Sequence, residues 1–277
     1  MQPTHGTEHC GTEQCGTEHC TVERDGHTMI VTMNRPEAKN ALSLPMLVGM
    51  ADAWVAADAD DHVRSIVLTG AGGAFCAGMD LKAMNMAQGS PYADRLKADP
   101  DLHWKALLRH YSPRKPLIGA VEGHAVAGGT ELIQACDIRV AGASATFGLF
   151  EVRRGLFPVA GSTVRLPRQI AYTHAMEMLL TGRPYTAAEA LDIGLIGHVV
   201  DDGKALAKAL EIAALINAAA PLSVEAVKRS VKESAGLSEA EGLAKEFEIG
   251  WPVFATEDAK EGPRAFAEKR DPEWKRK

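Results

Sequence analysis

Aromatic residues are scarce in this chain: Trp, Tyr and Phe together make up 5% of its 277 residues. No apolar run approaches the ~18 residues that a membrane-spanning helix needs, so we expect no membrane association. An excess of basic charge is also lacking. The net charge of −6 argues against a nucleic-acid-binding protein, although a local basic patch could still bind a phosphate-bearing ligand.

Cysteine is rare and unevenly distributed, since three of the five cysteines fall in the repeat "GTEHCGTEQCGTEHC" at residues 6–20. The N-terminal segment is polar and has no apolar stretch typical of a secretory signal. We therefore expect a cytoplasmic protein. The two remaining cysteines, Cys76 and Cys136, lie in apolar surroundings and are expected to be reduced, buried residues.

The repeat raises the question of a metal site, because two of its three cysteines follow a histidine. Its cysteines recur every five residues, which does not match the Cys-x₂₋₄-Cys spacing of structural zinc sites. We expect a disordered tail over residues 1–20 and no metal site of biological meaning. The alternative is a binding protein that uses this Cys/His tail as a metal store or sensor.

After the repeat, apolar strands alternate with helices. "TVERDGHTMIVTMNRP" predicts two strands around the turn Asp25-Gly26, and "LSLPMLVGMADAWVAADAD" has the spacing of a helix. "SIVLTGAG" and "PLIGAV" are short apolar strands that lead into glycine-rich turns. This order predicts an α/β fold with parallel strands covered by helices.

Two further segments are less regular. "MDLKAMNM" is expected to begin a helix, and residues 86–105 have weak periodicity, which indicates a mobile loop or a loosely held helix beside a ligand pocket. From residue 202 onward only helical patterns remain. We divide the chain into a tail (1–20), a core (21–201) and a C-terminal helical region (202–277).

Two glycine-rich turns, residues 73–81 and 123–132, are candidates for the chemistry. Amides at a helix N-terminus lack intrahelical partners and lie at the positive end of the helix dipole. Two such turns side by side would aim two N–H donors at one developing oxyanion. The alternative is that they are only tight turns with close packing. Neither matches a dinucleotide or phosphate-loop motif.

Two carboxylates make the first interpretation more specific. Glu131 falls in the first turn of the helix after the second glycine-rich turn, and Glu151 follows the apolar "ATFGLF". A carboxyl group beside apolar residues can have a raised pKa and act as an acid or base near neutral pH.

These residues stand in a pattern that resembles the enoyl-CoA hydratase/isomerase (crotonase) superfamily. The resemblance extends from about residue 21 to residue 270, with the anchors in the family's order. They are "NRPEAKNALS", "GAFCAGMDL", "EGHAVAGGTELIQACDIRVA", "ATFGLFEVRRGLFPVAGSTVRLPR", "TGRPYTAAEALDIGLIGHVV" and "EDAKEGPRAFAEKR".

The resemblance implies a spiral ββα core with a C-terminal helical oligomerisation region. It also implies that the thioester oxygen of an acyl-CoA lies between the amides of Met79 and Gly128. Glu131 and Glu151 are implied to be the two catalytic glutamates. Glu151 lies 23 residues after Gly128, as in the hydratases, whereas many relatives with other chemistries lack one glutamate. Hydration of trans-2-enoyl-CoA without a metal or organic cofactor is therefore expected.

The resemblance further implies residues that bind CoA or substrate, some of them across a subunit boundary of a homotrimer or a dimer of trimers. They are Lys39, Ala41, Ala77, Asp80, Leu81, Lys82, Phe266 and Lys269. Alternatives within the family are a specialised hydroxyacyl-CoA dehydratase and a double-bond isomerase.

The chain departs from well-characterised hydratases after Glu151. Val159 stands where a glycine often follows the proline, and its bulk is expected to narrow the acyl pocket. Arg153 and Arg154 would lower the pKa of Glu151 if either faced it. We expect both to face solvent or a subunit interface, since arginine is mostly exposed. Cys76 is not expected to be a nucleophile, and His124 is expected to be a packing or turn residue.

Overall fold

The structure is a computed structural model, and it describes residues 15–80 and 90–277. Its main layer is a six-stranded sheet with the strand order β1-β2-β3-β4-β6-β9. Only β1 and β2 pair in antiparallel fashion, and the other neighbours are parallel. The strands are β1 (Cys20–Asp25), β2 (Thr28–Met33), β3 (Ser65–Gly70), β4 (Leu117–Val121), β6 (Ile138–Gly142) and β9 (His198–Val200).

A smaller three-stranded sheet, with the order β5-β7-β8, lies beside the first. Its strands are β5 (His124–Val126), β7 (Thr146–Gly148) and β8 (Tyr185–Thr186). Because β5 begins three residues after β4 ends, the chain turns from one sheet into the other just before the second glycine-rich turn. This change of sheet brings that turn to the edge where the first one lies, since Cys76 also pairs with Ala125 of β5.

Helices alternate with the strands along the chain. They are α1 (Leu44–Ala59), α2 (Pro91–Ala98), α3 (Leu102–Ala106), α4 (Gly128–Ala135), α5 (Ser162–Gln169), α6 (Tyr172–Thr181), α7 (Ala187–Asp192), α8 (Ala205–Ala218), α9 (Pro221–Glu233), α10 (Glu239–Gly250) and α11 (Glu257–Glu268). Of these, α1 and α8 pack against the main sheet. Short 3-10 helices occur at Pro36–Ala38, Glu151–Arg154 and Trp251–Ala255.

The six-stranded sheet is buried on both faces, as the sequence pattern predicts. In β3, Ile66 and Leu68 belong to the large core that includes α1, whereas Val67 packs into a second cluster with the alanines of α8. A continuous apolar strand rather than an alternating one is what burial on two faces requires. The α/β fold, the hairpin around Asp25-Gly26 and the helical C-terminal region are confirmed.

Two local predictions need correction. The predicted tail of residues 1–20 is too long, because Cys15 and Cys20 are buried and β1 begins at Cys20. Met79 and Asp80 are not helical, since Met79 forms a bridge with Leu42; the rest of that predicted helix lies outside the described residues. Of the two alternatives for residues 86–105, a loop or a loosely held helix, the described part has short helices, α2 and α3. The boundary between residues 201 and 202 stays a prediction.

In the described parts of the chain, no single helix is long and apolar enough to cross a bilayer; only α8 and α9 taken together reach the length, and they are bent by 109°.

A buried ion pair fixes α9 against the start of β4. Lys115 is fully buried, and its Nζ lies 2.8 Å from Glu225 Oε1. The side chain of Arg276 lies 2.7 Å from the same oxygen. Burial lowers the pKa of Lys115, and Glu225 opposes that shift. The carboxylate therefore compensates a cation that water does not reach.

We predict that Glu225→Ala lowers the free energy of unfolding by about 3–5 kcal/mol, because it leaves the Lys115 ammonium buried without a partner. Urea unfolding followed by circular dichroism measures this loss. Glu233→Ala on the same helix is the control: its partner Arg229 is exposed, and exposed pairs contribute about 0–1 kcal/mol. Equal losses in the two variants would contradict the prediction.

Candidate active site

The first wall of the site is the segment 76–80, which runs between two other segments. On one side, Leu42 N donates to Gly78 O at 2.8 Å and Asp80 N donates to Leu42 O at 3.1 Å. Since neighbouring backbone groups of an extended segment point in opposite directions, the Met79 N–H points away from Leu42. Among the described residues, it donates to no acceptor.

The second wall is the N-terminus of α4, whose first residue is Gly128. As the first helical residue, Gly128 has an amide without an intrahelical acceptor, and no described group accepts from it. Ala127, just before it, has φ 50° and ψ −121°, a backbone conformation that residues other than glycine rarely adopt. The Ala127 amide is held by Gly148 O at 2.7 Å, which fixes the direction of the Gly128 amide.

Two glycines allow the walls to approach closely. A Cβ atom on Gly78, whose φ is +89°, would lie 2.8 Å from Ala127 Cβ, and one on Gly129 would lie 2.4 Å from Cys76 O. A Cβ on Gly128 would be 3.9 Å from Met79 N. The amides of Met79 and Gly128 are therefore neighbours.

Glu131 lies in the first turn of α4 and is 4% exposed. Its Oε1 accepts a hydrogen bond from Ser162 N at 3.2 Å. Burial, with a smaller contribution from the negative charge of Glu151, raises the pKa of Glu131 to about 7, against the hydrogen bond from Ser162. At neutral pH this carboxyl group can therefore both release and accept a proton.

Glu151 begins the 3-10 helix that follows β7. Its Oε2 is buried and has no hydrogen-bond partner in the described part of the chain. Burial raises the pKa of Glu151, and the Arg154 charge opposes this shift. An unpartnered buried carboxyl oxygen is costly unless a ligand or water satisfies it. It therefore marks the place where a reacting group would bind.

A cavity of about 750 Å³ joins these groups. It is lined by both predicted oxyanion residues, by both predicted glutamates, and by three of the predicted substrate contacts, namely Ala41, Ala77 and Asp80. Arg35 holds Asp80 through an ion pair of 2.5 Å. The structure thus brings together residues that are up to 110 positions apart in the chain, from Ala41 to Glu151.

Other predicted contacts lie elsewhere. Lys39 is exposed next to Ala38, which lines the cavity, and its carbonyl accepts from Ala77 N at 3.0 Å. Phe266 and Lys269 are exposed near the end of α11 and do not line the cavity of their own chain. Leu81 and Lys82 fall outside the described residues.

Both arginines after Glu151 are exposed, as expected, but one of them also faces the site. Arg154 lines the cavity and acts on Glu151, because the tight 3-10 turn places residues three apart on the same side. Arg153 instead packs its side chain near Gly182. Val159 lines the cavity, as its position predicts.

Sequence reasoning did not identify the residues that form the far wall of the cavity. They are His103, Trp104 and Leu107 from the region of α3, and Leu156, Phe157 and Ala160 from the segment before α5. For His103 and Trp104 the sequence signal is their place within residues 86–105, which were expected to lie beside the ligand pocket; Leu107 lies just beyond that range. These residues make the cavity mainly apolar.

The remaining cysteine and histidine predictions concern groups outside the chemistry. Burial raises the pKa of the Cys76 thiol to about 12, so it is not a ready nucleophile. His124 is exposed and its Nδ1 pairs with Thr146 Oγ1 at 2.8 Å. Within residues 15–80 and 90–277, no cluster of three metal-binding side chains occurs. The first two copies of the repeat lie almost entirely outside those residues.

Comparison with known proteins gives the family of this chain. The family model described as "Enoyl-CoA hydratase/isomerase" matches residues 23–277. The chain therefore belongs to the enoyl-CoA hydratase/isomerase family, which confirms the resemblance found in its motifs.

Individual relatives match over nearly their full length. Enoyl-CoA hydratase EchA19 of Mycobacterium tuberculosis is 56% identical over 253 residues, which cover 91% of this chain and 94% of that protein. (E)-benzylidenesuccinyl-CoA hydratase of Thauera aromatica is 37% identical, with 91% and 97% covered. The crystal structure of enoyl-CoA hydratase EchA1 from Mycobacterium marinum is 42% identical, with a TM-score of 0.85 and coverage of 92% and 98%.

Because Glu131 is buried, we expect the free energy of unfolding to depend on pH. Its folded pKa of about 7 lies above the ordinary value of 4.5, so the folded state holds the proton more tightly than the unfolded state. The contribution of Glu131 to the free energy of unfolding is therefore fully present below about pH 4.5, and it is lost as the pH rises through about 7.

We predict that Glu131→Gln raises the free energy of unfolding at pH 8 by about 2–4 kcal/mol relative to the wild type, because no buried charge has to form. At pH 4.5 the two proteins should differ much less. Urea unfolding at both pH values measures the difference. Equal stability of the two proteins at pH 8 would contradict the assigned environment of Glu131.

Proposed function

We propose that this protein catalyses the reversible hydration of a trans-2-enoyl-CoA thioester to a 3-hydroxyacyl-CoA. The observation that carries the proposal is the meeting of two buried carboxyl groups, Glu131 and Glu151, with two unpartnered amides in one apolar cavity. Relatives at 56% and 37% identity are named as hydratases of CoA thioesters, which supports the reaction class.

The thioester carbonyl oxygen binds between the amides of Met79 and Gly128. As water adds to C3, negative charge moves onto this oxygen, and fixed N–H donors stabilise that charge more than the neutral ground state. Removing one such donor typically costs about 10²–10³ in rate. The helix dipole of α4 adds to the stabilisation because its positive end points at the same atom.

The two glutamates bind and activate the water. Glu131 accepts a proton from the water as the oxygen–C3 bond forms, and Glu151 donates a proton to C2 of the resulting enolate. The raised pKa of Glu151 favours the protonated form that this step needs. Because the two carboxyl groups interact, they titrate as a pair. The proposed steps need no metal or organic cofactor.

The same proposal covers how CoA binds. Lys39 lies beside the mouth of the cavity, where its charge would favour the diphosphate. Phe266 and Lys269 would reach the adenine of a CoA molecule bound to a neighbouring subunit, since they are exposed and do not line the cavity of their own chain. A cytoplasmic role in fatty-acid or related acyl-CoA metabolism is part of the proposal.

A homotrimer or dimer of trimers would explain the exposed apolar side chains near α10. Phe247, Trp251 and Phe254 are 61%, 61% and 73% exposed and form one aromatic group. Large exposed apolar patches typically mark interaction sites. Sedimentation of the purified protein tests this part of the proposal.

We predict that the protein removes the enoyl-thioester absorbance of crotonyl-CoA, and that Glu131→Gln and Glu151→Gln each lower kcat by several orders of magnitude. Both variants should still bind CoA, because neither changes the residues assigned to it. Stopped-flow absorbance gives kcat, and calorimetry gives the affinity for CoA.

Glu122→Gln is a matched control, since Glu122 lies outside the cavity and accepts from Ala205 N at 2.9 Å. Mass spectrometry and NMR of the product separate the alternatives: hydration adds one water, whereas isomerisation adds none. A wild-type protein without turnover on short, medium and long enoyl chains would contradict the proposal, and turnover only in the dehydrating direction would favour a dehydratase.

We also predict an acidic limb in the pH profile of kcat/KM. Glu131 must be ionised to accept the proton of water, so kcat/KM should fall as the pH drops below about 7. The slope should approach about tenfold per pH unit. A profile that stays flat down to pH 5 would show that Glu131 is not the base.

A further inference from the structure

The orientation of Glu131 depends on the segment before α5. Ser162 N donates to Glu131 Oε1 at 3.2 Å, and Ser162 Oγ accepts from Gln134 Nε2 at 3.0 Å. Ser162 therefore has one contact to the carboxyl group and one to the next turn of α4. A shift of this segment would move the donor away from the carboxylate.

One side chain holds that segment in place. Arg165 Nη1 donates to Ala160 O at 3.1 Å. The guanidinium also packs against Gly161, where an added Cβ atom would lie 2.9 Å from Nη1. Ala160 and Gly161 directly precede Ser162, so the position of the Ser162 amide is tied to Arg165.

The other nitrogen of the same guanidinium reaches the second segment of the far wall, next to α3. Arg165 Nη2 donates to Leu108 O, and Leu108 has a φ of 56°. This residue follows Leu107, which lines the cavity. The planar guanidinium group of an arginine has donors in fixed positions and can hold two carbonyl groups at a set separation, which the single ammonium group of a lysine cannot do.

Arg165 also acts on Glu131 through its charge. Burial lowers the pKa of Arg165, and the negative charge of Glu131 opposes that shift. The interaction is mutual, so the guanidinium favours the ionised form of Glu131. Arg165 itself is not among the residues that line the cavity.

We infer that Arg165 is a positioning residue of this active site, which holds the Ser162 amide against Glu131 and fixes the two segments of the far wall relative to each other. The inference rests on the proposed hydration, for which it adds a residue that never touches the substrate. Because Arg165 bonds to a residue 57 positions earlier in the chain, no local motif reveals this role.

Several other titratable groups face Glu131 or Arg165 and have to be kept unchanged in any test. Glu151 faces Glu131 from the 3-10 helix, and Arg154 faces Glu151. Arg109 and the Cys136 thiol face Arg165, and Arg139 lies close enough to interact with it.

The test compares Arg165→Gln and Arg165→Lys with Arg168→Gln, an exposed arginine on the same helix. Kinetics with crotonyl-CoA from pH 5 to 9 give kcat, KM and the acidic limb. In parallel, ¹³C NMR of labelled glutamate follows the titration of the Glu131 carboxyl group, assigned by its loss in Glu131→Gln. The NMR measurement does not depend on turnover.

For Arg165→Gln we expect kcat to fall about 10²-fold, the size of effect that a misplacement of about 1 Å can have, with KM little changed. The acidic limb and the NMR midpoint should both move to higher pH, because the positive charge is lost. In Arg165→Lys the acidic limb and the NMR midpoint should stay near their wild-type pH, since the positive charge remains. Its kcat should still fall, because lysine lacks the planar guanidinium that bonds to two carbonyl groups. Arg168→Gln should behave as the wild type.

If Arg165→Gln folds but its acidic limb and its NMR midpoint stay at the wild-type pH, the inference is overturned, whatever the kcat of this variant. If Arg165→Gln does not fold, Arg165→Lys decides, and a wild-type kcat in that variant overturns it. A wild-type protein without turnover would instead contradict the proposed hydration, and the NMR titration would still test Arg165.

Discussion

The site depends on how closely the backbone of residues 76–79 approaches the N-terminus of α4. Gly78 and Gly129 lie at the contact, where a Cβ atom would fall 2.8 Å from Ala127 Cβ or 2.4 Å from Cys76 O. This approach sets the separation of the Met79 and Gly128 amides. It also places Glu131, one turn further along α4, at a fixed distance from the same point. A single backbone contact thus determines the geometry of both the anion-binding amides and the first carboxyl group.

Desolvation then gives the carboxyl groups their reactivity. Glu131 and Glu151 are both withdrawn from water, and burial is the main cause of the raised pKa of each. The positive charge of Arg154 opposes the shift of Glu151 but does not cancel it, because burial is the larger cause. The same apolar lining that would accept an acyl chain therefore prepares the acid and the base. Binding and chemistry share one physical cause.

The glycine-rich turns, the positions of the two glutamates and the alternation of strands with helices could be predicted from the sequence, because each rests on local spacing or on a motif. The far wall of the cavity could not, since α3 has only five residues and too few turns to show a period. The direction of Arg154 depends on a 3-10 turn, and the bonds of Arg165 join distant segments. The three repeat copies are also nearly identical in sequence, so composition does not show that Cys15 and Cys20 are buried.

The backbone of Ala127 has a consequence for how this enzyme could change. A residue other than glycine at φ 50° and ψ −121° costs of order 1–3 kcal/mol, and it persists because its neighbours over-determine it. That energy is the cost of an amide that faces the cavity before any ligand arrives. Selection for heat resistance alone would tend to relax this residue and let the amide turn away. Thermal robustness and readiness for reaction are therefore opposed at this one peptide unit.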